Sequence, residues 1–195
     1  MENFAQLVYS LDQTTKTNKK IDLLVSFFSN ASNSDKLWCI ALFSGRRPKR
    51  LISTKYLRQW ACEETELPTW LLEDTYSVVG DLAETISLLT QEKNQISTKS
   101  LTSWISELRQ LENQGLEEKR DFVTNAWSTL NRQERFVFNK LITGGFRLGV
   151  SQKLTIRALS KVTKIDQFEL SLRLMGNWHP DTISWISLII NDERK

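Results

Sequence analysis

The chain has 195 residues, of which 40% are hydrophobic and 25% charged, and its formal net charge is +3. This composition can bury a substantial core, which excludes a disordered chain. Two cysteines, Cys39 and Cys62, argue against a disulfide-stapled secreted fold and indicate a reducing compartment. Together with the single histidine, His179, they cannot assemble an ordinary zinc site, so we predict no metal site. No signal pattern or long apolar run is present, so we expect a cytoplasmic protein outside the membrane.

Apolar residues recur at three- and four-residue spacing along most of the chain, and this period predicts an all-α fold. The first predicted helix covers residues 2–11, and Thr17 or Asn18 can cap the second. A third helix covers 34–44 and stops at Gly45. The later predicted helices cover 53–66, 69–78, 81–90, 100–113, 116–130, 132–142, 151–161, 166–175 and 181–190.

The polar segment 91–100 has only Ile96 to bury. It therefore predicts a connection between two helical lobes of one domain, roughly residues 1–90 and 100–190. Within those predicted helices, five tryptophans fall in apolar periodic positions and are expected to pack in the core. The five are Trp38, Trp60, Trp104, Trp127 and Trp185. Trp70 and Trp178 lie near turns, and the sequence does not decide whether they are buried.

Positive charge is concentrated in two stretches of the chain. Seven cations and no acid lie between Asp35 and Glu63, and the same is true between Glu134 and Asp166. At the chain-wide density of 23 acids in 195 residues, these stretches would hold roughly seven acids. Two solvated lysine-rich helix faces are the alternative. A smaller cluster, Lys16, Lys19 and Lys20, is predicted to be a solvated helix start that could extend a contact surface.

The two basic stretches share one layout, which predicts two pseudo-symmetric lobes that arose by duplication. In the first, a helix leads into Ser44-Gly45, a basic loop and a new helix from Ser53. In the second, a helix leads into Thr143-Gly144-Gly145, a short loop and a new helix from Ser151. The offset is 99 at the leading glycine and 98 at the serine, and Gly80 and Gly176 continue the pattern with an offset of 96.

Each loop leads into a helix N-terminus, where unpaired N–H groups and the helix dipole favour an anion. Lys55 and Lys153 lie in the first turns and oppose that dipole until a negative group, such as a phosphate, binds. Gly144, Gly145 and Gly149 can adopt positive φ, although helix termination and a tight turn would explain them equally well. With no base-reading helix evident, we expect contacts to the backbone of a DNA duplex.

The run from Arg135 to Ser151, RFVFNKLITGGFRLGVS, resembles the N-terminal DNA-binding domain of ATP-dependent DNA ligases, with the bacterial branch as the most similar. The segments 45–50, 79–85 and 173–178 are similar to the same pattern, so the resemblance covers essentially the whole chain. It implies sequence-nonspecific binding of nicked double-stranded DNA through backbone and minor-groove contacts. The residues that it assigns to DNA are Arg46, Arg47, Lys49, Arg50, Ser53, Lys55, Thr143, Gly144, Gly145, Phe146, Arg147, Gly149, Ser151, Gln152 and Lys153.

The resemblance implies no chemistry in this chain, because the family's adenylation motif, Lys-x-Asp-Gly, is absent from its sequence. ATP and Mg²⁺ would act in the nucleotidyltransferase domain, which with the OB-fold domain would lie outside these residues. The implied protein is a monomeric bacterial ligase of the cytoplasm and nucleoid. Its DNA-binding domain would work with its own catalytic domain in repair, replication or recombination.

Two other functions remain open at this point. A helix-hairpin-helix DNA glycosylase also binds phosphate with a Gly-x-x-x-Gly loop, which Gly145 and Gly149 would supply, although no catalytic Lys/Asp pair can be placed. A helical-repeat adaptor would instead bind an acidic protein. Phe146 could contact a sugar or plug the space between lobes.

Overall fold

The computed structural model describes residues 1–91, 93, 96–143, 145, 146 and 149–190. Every regular element within these ranges is helical, which confirms the predicted all-α fold. The α-helices in these ranges are α1 (Glu2–Asp12), α2 (Thr17–Asn30), α3 (Asn33–Phe43), α4 (Thr54–Thr65), α5 (Thr69–Val79), α6 (Leu82–Leu89), α7 (Leu101–Gln110), α8 (Leu116–Thr129), α9 (Arg132–Thr143), α10 (Gln152–Thr163) and α11 (Gln167–Met175). A 3₁₀ turn at Leu111–Asn113 follows α7, and a π-helical turn covers Ile186–Ile190. Among the helices described, none has the length and apolarity that crossing a bilayer requires.

Serine side chains cap several helices where the sequence places them. The hydroxyls of Ser32, Ser100 and Ser151 each accept the main-chain N–H three residues further on. Each bond satisfies one of the donors that a helix start leaves unpaired. These caps explain why the predicted starts of α3, α7 and α10 are correct to within a residue or two.

Two predicted boundaries differ from the structure. Lys16 occupies the N-cap position of α2, where neither Thr17 nor Asn18 serves as the cap. The predicted helix at 181–190 forms only towards its end, because the N–H and the hydroxyl of Thr182 both donate to the carbonyl of His179, at 3.0 and 3.1 Å. Such a local side-chain bond stabilises a turn in competition with the helix.

The chain folds into two compact units. Unit 1 contains Met1–Ala5 and the described residues of Pro48–Gly145, and unit 2 contains Gln6–Arg47 and the described residues from Phe146 onward. In unit 1, α6 packs against α9 and α4 packs against α5, α6 and α8. In unit 2, α2 packs along α10, which also contacts α3 and α11.

The helices repeat along the chain in matching lengths. α2 and α8 have 14 residues each, and α4 and α10 have 12 each. α4 and α10 also end in the same uncommon way, at Glu66 (φ 56°) and Lys164 (φ 63°), the two non-glycine residues with positive φ in the described part of the chain. The carbonyls that their N–H groups reach, Cys62 and Ser160, are 98 residues apart, the same offset that the sequence showed at its serines. This agreement supports duplication.

Each unit combines the first part of one repeat with the second part of the other. Unit 1 holds α4–α6 of the first repeat with α7–α9 of the second, and unit 2 holds α2 and α3 with α10 and α11. The predicted lobes, 1–90 and 100–190, are therefore not the compact units, and the described residues of the polar segment 91–100 belong to unit 1. The N–H groups of Lys93 and Ser97 donate to the carbonyls of Ser128 and Thr129, at the end of α8, at 3.0 and 2.7 Å.

The tryptophans mark the cores of the two units. The five that were predicted to pack are at most 6% exposed, which confirms that prediction. Trp127 donates its indole N–H to the side-chain oxygen of Asn139 at 2.7 Å, so a buried polar pair is satisfied within the core of unit 1. Trp178 is also buried, whereas Trp70 is 66% exposed.

Candidate nucleic-acid interface

Each basic stretch leads into a helix as predicted, α4 in the first and α10 in the second, and the candidate residues of each stretch are divided between the two units. The candidate residues in unit 2 are Arg46, Arg47, Phe146, Gly149, Ser151, Gln152 and Lys153. Those in unit 1 are Lys49, Arg50, Ser53, Lys55, Thr143 and Gly145. Gly144 and Arg147 lie outside the described residues.

The start of α10 presents a cationic, acid-free helix terminus. The Ser151 hydroxyl caps the helix by accepting the Leu154 N–H at 3.3 Å, while Gln152 and Lys153 extend from the first turn as exposed side chains. The first turn contains no acidic residue. The N–H groups that a helix start leaves unpaired and the ammonium of Lys153 therefore offer donors and positive charge to a ligand.

Of the glycines that could adopt positive φ, Gly149 does so, with φ +61°, whereas Gly145 does not. A Cβ at position 149 would lie 2.9 Å from the Nζ of Lys20, closer than such contacts occur in proteins. That ammonium donates to the Gly149 carbonyl at 3.4 Å. The backbone angle therefore favours glycine here, and a Cβ would displace the end of the Lys20 side chain.

The prediction for the environment of Lys20 is wrong. This residue was predicted to belong to a solvated helix start, yet it is 9% exposed. Helical spacing gives the missing signal, because Lys20, Leu24 and Phe27 follow the i, i+4, i+7 pattern of one face, and both hydrophobic members are buried. Lys16 and Lys19 lie off that face and are exposed, as predicted.

Arg46 has a packing role in unit 2. Gly45 (φ +80°) ends α3 in a Schellman turn, in which the Arg46 N–H donates to the Ala41 carbonyl at 2.7 Å. The Arg46 guanidinium then donates to three carbonyls at the end of α11, and it lies 4.4 Å from the ring centroid of Trp178. The three acceptors are Trp178 at 3.0 Å, Leu174 at 3.2 Å and Gly176 at 2.9 Å.

Arg47, the next residue, is exposed and makes no hydrogen bond or ion pair with any other described residue. Arg46 and Arg47 are chemically identical, but the helix end holds the first and leaves the second to solvent. Of the two, Arg47 is the one available to a ligand.

In unit 1, Lys49 already has an acidic partner. Its Nζ lies 2.7 Å from Oε1 of Glu112, and both side chains are at least half exposed. The hydrogen bond and the charge of Glu112 raise the pKa of Lys49, and the same contact lowers the pKa of Glu112. A phosphate that binds Lys49 must therefore compete with this carboxylate.

The start of α4 is less fully capped than that of α10. Ser53 is its N-cap residue and is exposed, but its hydroxyl makes no capping bond. Arg50 donates Nε–H to the Ile52 carbonyl at 3.3 Å, and Lys55 extends into solvent from an acid-free first turn. Both serine hydroxyls can still donate to an incoming acceptor, because Ser151 uses only its oxygen in the capping bond.

The remaining described candidates contribute less to an anion site. The Thr143 hydroxyl donates to the Asn139 carbonyl at 2.8 Å, which continues the helical turn. A Cβ at Gly145 would meet nothing within 4 Å, so space alone does not require glycine there. Phe146 is half-buried.

Several cations of the two basic stretches already bind carbonyls or acidic side chains within the fold. Arg135 is 4% exposed and donates to the carbonyls of Trp127 and Leu130 at 3.4 and 2.8 Å. Lys140 pairs with Asp81, and Arg58 pairs with Glu73. The acid-free stretches therefore overstate the charge available to a ligand, because acids from distant segments pair with some of it.

Both loops lie within the part of the chain that a known family covers. A family model described as "DNA ligase N terminus" matches residues 1–160. The chain is also similar to a "Probable DNA ligase" of Dictyoglomus turgidum, with 24% identity over an alignment of 164 residues that covers 80% of this chain. The chain spans 28% of the length of that relative.

Proposed function

Because the chain belongs to the DNA ligase N-terminal family, we propose that it binds nicked double-stranded DNA through the sugar–phosphate backbone, irrespective of base sequence. The observation that carries this proposal is the pair of acid-free helix starts at α4 and α10, each with an exposed lysine in its first turn. Each of these helix starts can bind a phosphate of a DNA strand. The exposed Arg47 adds a further cation to the first of the two loops.

The exposed donors favour backbone recognition over base reading. Lys55 and Lys153 are point charges, and the serine hydroxyls and helix N–H groups are typical phosphate ligands. Base reading usually requires amide or guanidinium side chains aligned along a helix in the major groove. Gln152 alone supplies an exposed amide at the start of α10. Contacts to phosphates, with the minor groove read by its shape, suit this arrangement.

The activity of the whole protein is part of the proposal. The relative is a probable DNA ligase more than three times as long as the match, and the 195 residues contain no Lys-x-Asp-Gly sequence. We therefore assign ATP, Mg²⁺ and nick sealing to a catalytic domain that works with this one. The protein would act as a monomer in the bacterial cytoplasm and nucleoid, in repair, replication or recombination.

Fluorescence anisotropy with labelled duplexes tests the binding proposal. Two nicked duplexes of unrelated sequence and one intact duplex would be titrated with the chain between about 50 and about 200 mM salt. If four to eight phosphates are neutralised, log affinity falls with log salt at a slope of roughly −4 to −7. The two sequences should bind within about threefold of each other.

Three outcomes would contradict the proposal. These are no binding at the lowest salt, a slope shallower than about −2, or a preference of about a hundredfold for one sequence. A chain that ignored DNA and bound an acidic protein would instead fit the helical-repeat adaptor.

A further inference from the structure

Lys20 differs from the other lysines at the start of α2. Lys16 and Lys19 extend into solvent, whereas Lys20 is 9% exposed and donates to the carbonyl of Gly149 at 3.4 Å. Burying an ammonium removes most of its hydration, so it has to be compensated by acceptors inside the protein. Gly149 lies two residues before Ser151, the cap of α10. A buried cation of α2 therefore holds the main chain immediately before the acid-free helix start.

Gly149 also leaves room for the end of the Lys20 side chain. Gly149 has φ +61°, and the Nζ of Lys20 lies 2.9 Å from the place that a Cβ would take. The missing side chain thus leaves the space in which the ammonium reaches the carbonyl. Lys20 lies in α2, and α2 packs along α10 within unit 2. Packing therefore fixes the helix that carries Lys20 relative to the helix whose start it positions.

We propose that Lys20 is a positioning residue for DNA binding, which fixes the Gly149 turn so that the first turn of α10 faces the phosphate before DNA arrives. This inference rests on the proposed function and adds a residue that acts through the loop. Ser151, Gln152 and Lys153 would make the contacts, and Lys20 would lower the cost of ordering them. A cation in this role has no need to touch the phosphate.

Salt dependence separates positioning from contact. A lysine that binds a phosphate directly releases counterion, so its removal makes the slope of log affinity against log salt shallower by about 0.9. A lysine that only orders the loop changes affinity and leaves that slope unchanged. Lys20→Met removes the donor with little change in side-chain length, and Lys19→Met removes the same charge from the exposed neighbouring position.

The test is anisotropy on the nicked duplex, with each variant kept well below its melting temperature and its folding checked by circular dichroism. We expect Lys20→Met to weaken binding by about tenfold, the loss for one charge-assisted hydrogen bond, with an unchanged slope. Lys19→Met should weaken binding by less than about threefold. Unchanged affinity of folded Lys20→Met, a loss equal to that of Lys19→Met, or a slope shallower by about 0.9 would overturn the inference.

Gly149→Ala gives a second route that keeps the charge. Its Cβ would displace the ammonium, so we expect a similar loss of affinity and an unchanged slope. In the double variant with Lys20→Met, the two losses should add to less than their sum, because both act on one turn. Full additivity would overturn the inference. If Lys20→Met folds poorly, the folded Gly149→Ala variant decides the matter, because unchanged affinity of that variant would overturn the inference. If the wild-type chain ignores DNA, the proposed function fails as well; if it binds and Lys20→Met binds equally, only this inference fails.

Discussion

The Nζ of Lys49 lies 2.7 Å from Oε1 of Glu112, so one cation of the first basic loop is already in an ion pair with a carboxylate. Both side chains are largely exposed, and an exposed ion pair contributes little to stability. Its effect on a ligand can be larger, because an anion that approaches Lys49 meets the negative charge of Glu112. If DNA binds Lys49 as proposed, Glu112 would compete with its phosphate within unit 1.

Replacing Glu112 should tighten DNA binding. Glu112→Gln removes the competing charge, and we expect an affinity for nicked duplex about two- to fivefold higher at low salt, with the gain shrinking as salt screens the loop. Glu117→Gln, an exposed acid in the first turn of α8, changes the net charge equally and is the control. Equal gains in both variants would show that net charge alone is responsible.

The pH dependence of the same pair has a definite sign. Lys49 holds the pKa of Glu112 below its ordinary value, first through the hydrogen bond and then through its charge. The ion pair is thus fully present above the ordinary carboxyl pKa and is lost as the pH falls through the lower folded value. In an NMR titration, Lys49→Met should move the midpoint of Glu112 upward. A midpoint that stays in place would contradict the pairing.

Replacing Arg46 should lower the stability of the fold, whereas replacing Arg47 should weaken DNA binding. Arg46→Ala leaves three carbonyls without their donor and removes the stacking on Trp178, so we expect a loss of about 2 kcal/mol in the free energy of unfolding by urea. Arg47→Ala should change that free energy by less than about 0.5 kcal/mol and should weaken DNA binding instead. If Arg46→Ala were as stable as the wild type, the packing role would be wrong.

The two thiols should react at different rates. Cys39 is fully buried in α3, and burial followed by the charge of Asp35 raises its pKa well above the ordinary value. Since the thiolate is the reactive form, Cys39 should be inert to Ellman's reagent at about pH 8, while the partly exposed Cys62 reacts. Cys62→Ser should abolish the reaction of the folded chain. Rapid reaction of that variant would contradict the burial of Cys39.

Local rules predicted the helices and loops well, because their causes lie within a few residues. Ser151 caps α10 through a bond to Leu154, and Gly149 adopts the positive φ that the loop suggested. Arg46 shows the limit of such rules, since its acceptors lie about 130 positions further along the chain. No local pattern distinguishes a cation that caps a distant helix from one that faces solvent.

The composition of the units was beyond sequence reasoning for the same reason. The repeat is visible in the spacing of Gly45 and Gly144, but which half of a repeat packs with which depends on contacts between distant helices. Lys20 is an intermediate case. Its burial could have been predicted from its register with Leu24, whereas its carbonyl partner could not.

Charge reversal in the first loop and at the start of α10 tests the central claim most directly. Arg47→Glu, Lys153→Glu and the control Arg132→Glu each change the net charge by the same amount. Arg132 is exposed at the start of α9, about 16 Å along the helix axis from Thr143, where that helix ends. Anisotropy on nicked duplex should give losses of about tenfold or more for Arg47→Glu and Lys153→Glu, with shallower salt slopes, and less than about threefold for Arg132→Glu. If all three variants bind alike, the first loop and the start of α10 do not hold the DNA backbone.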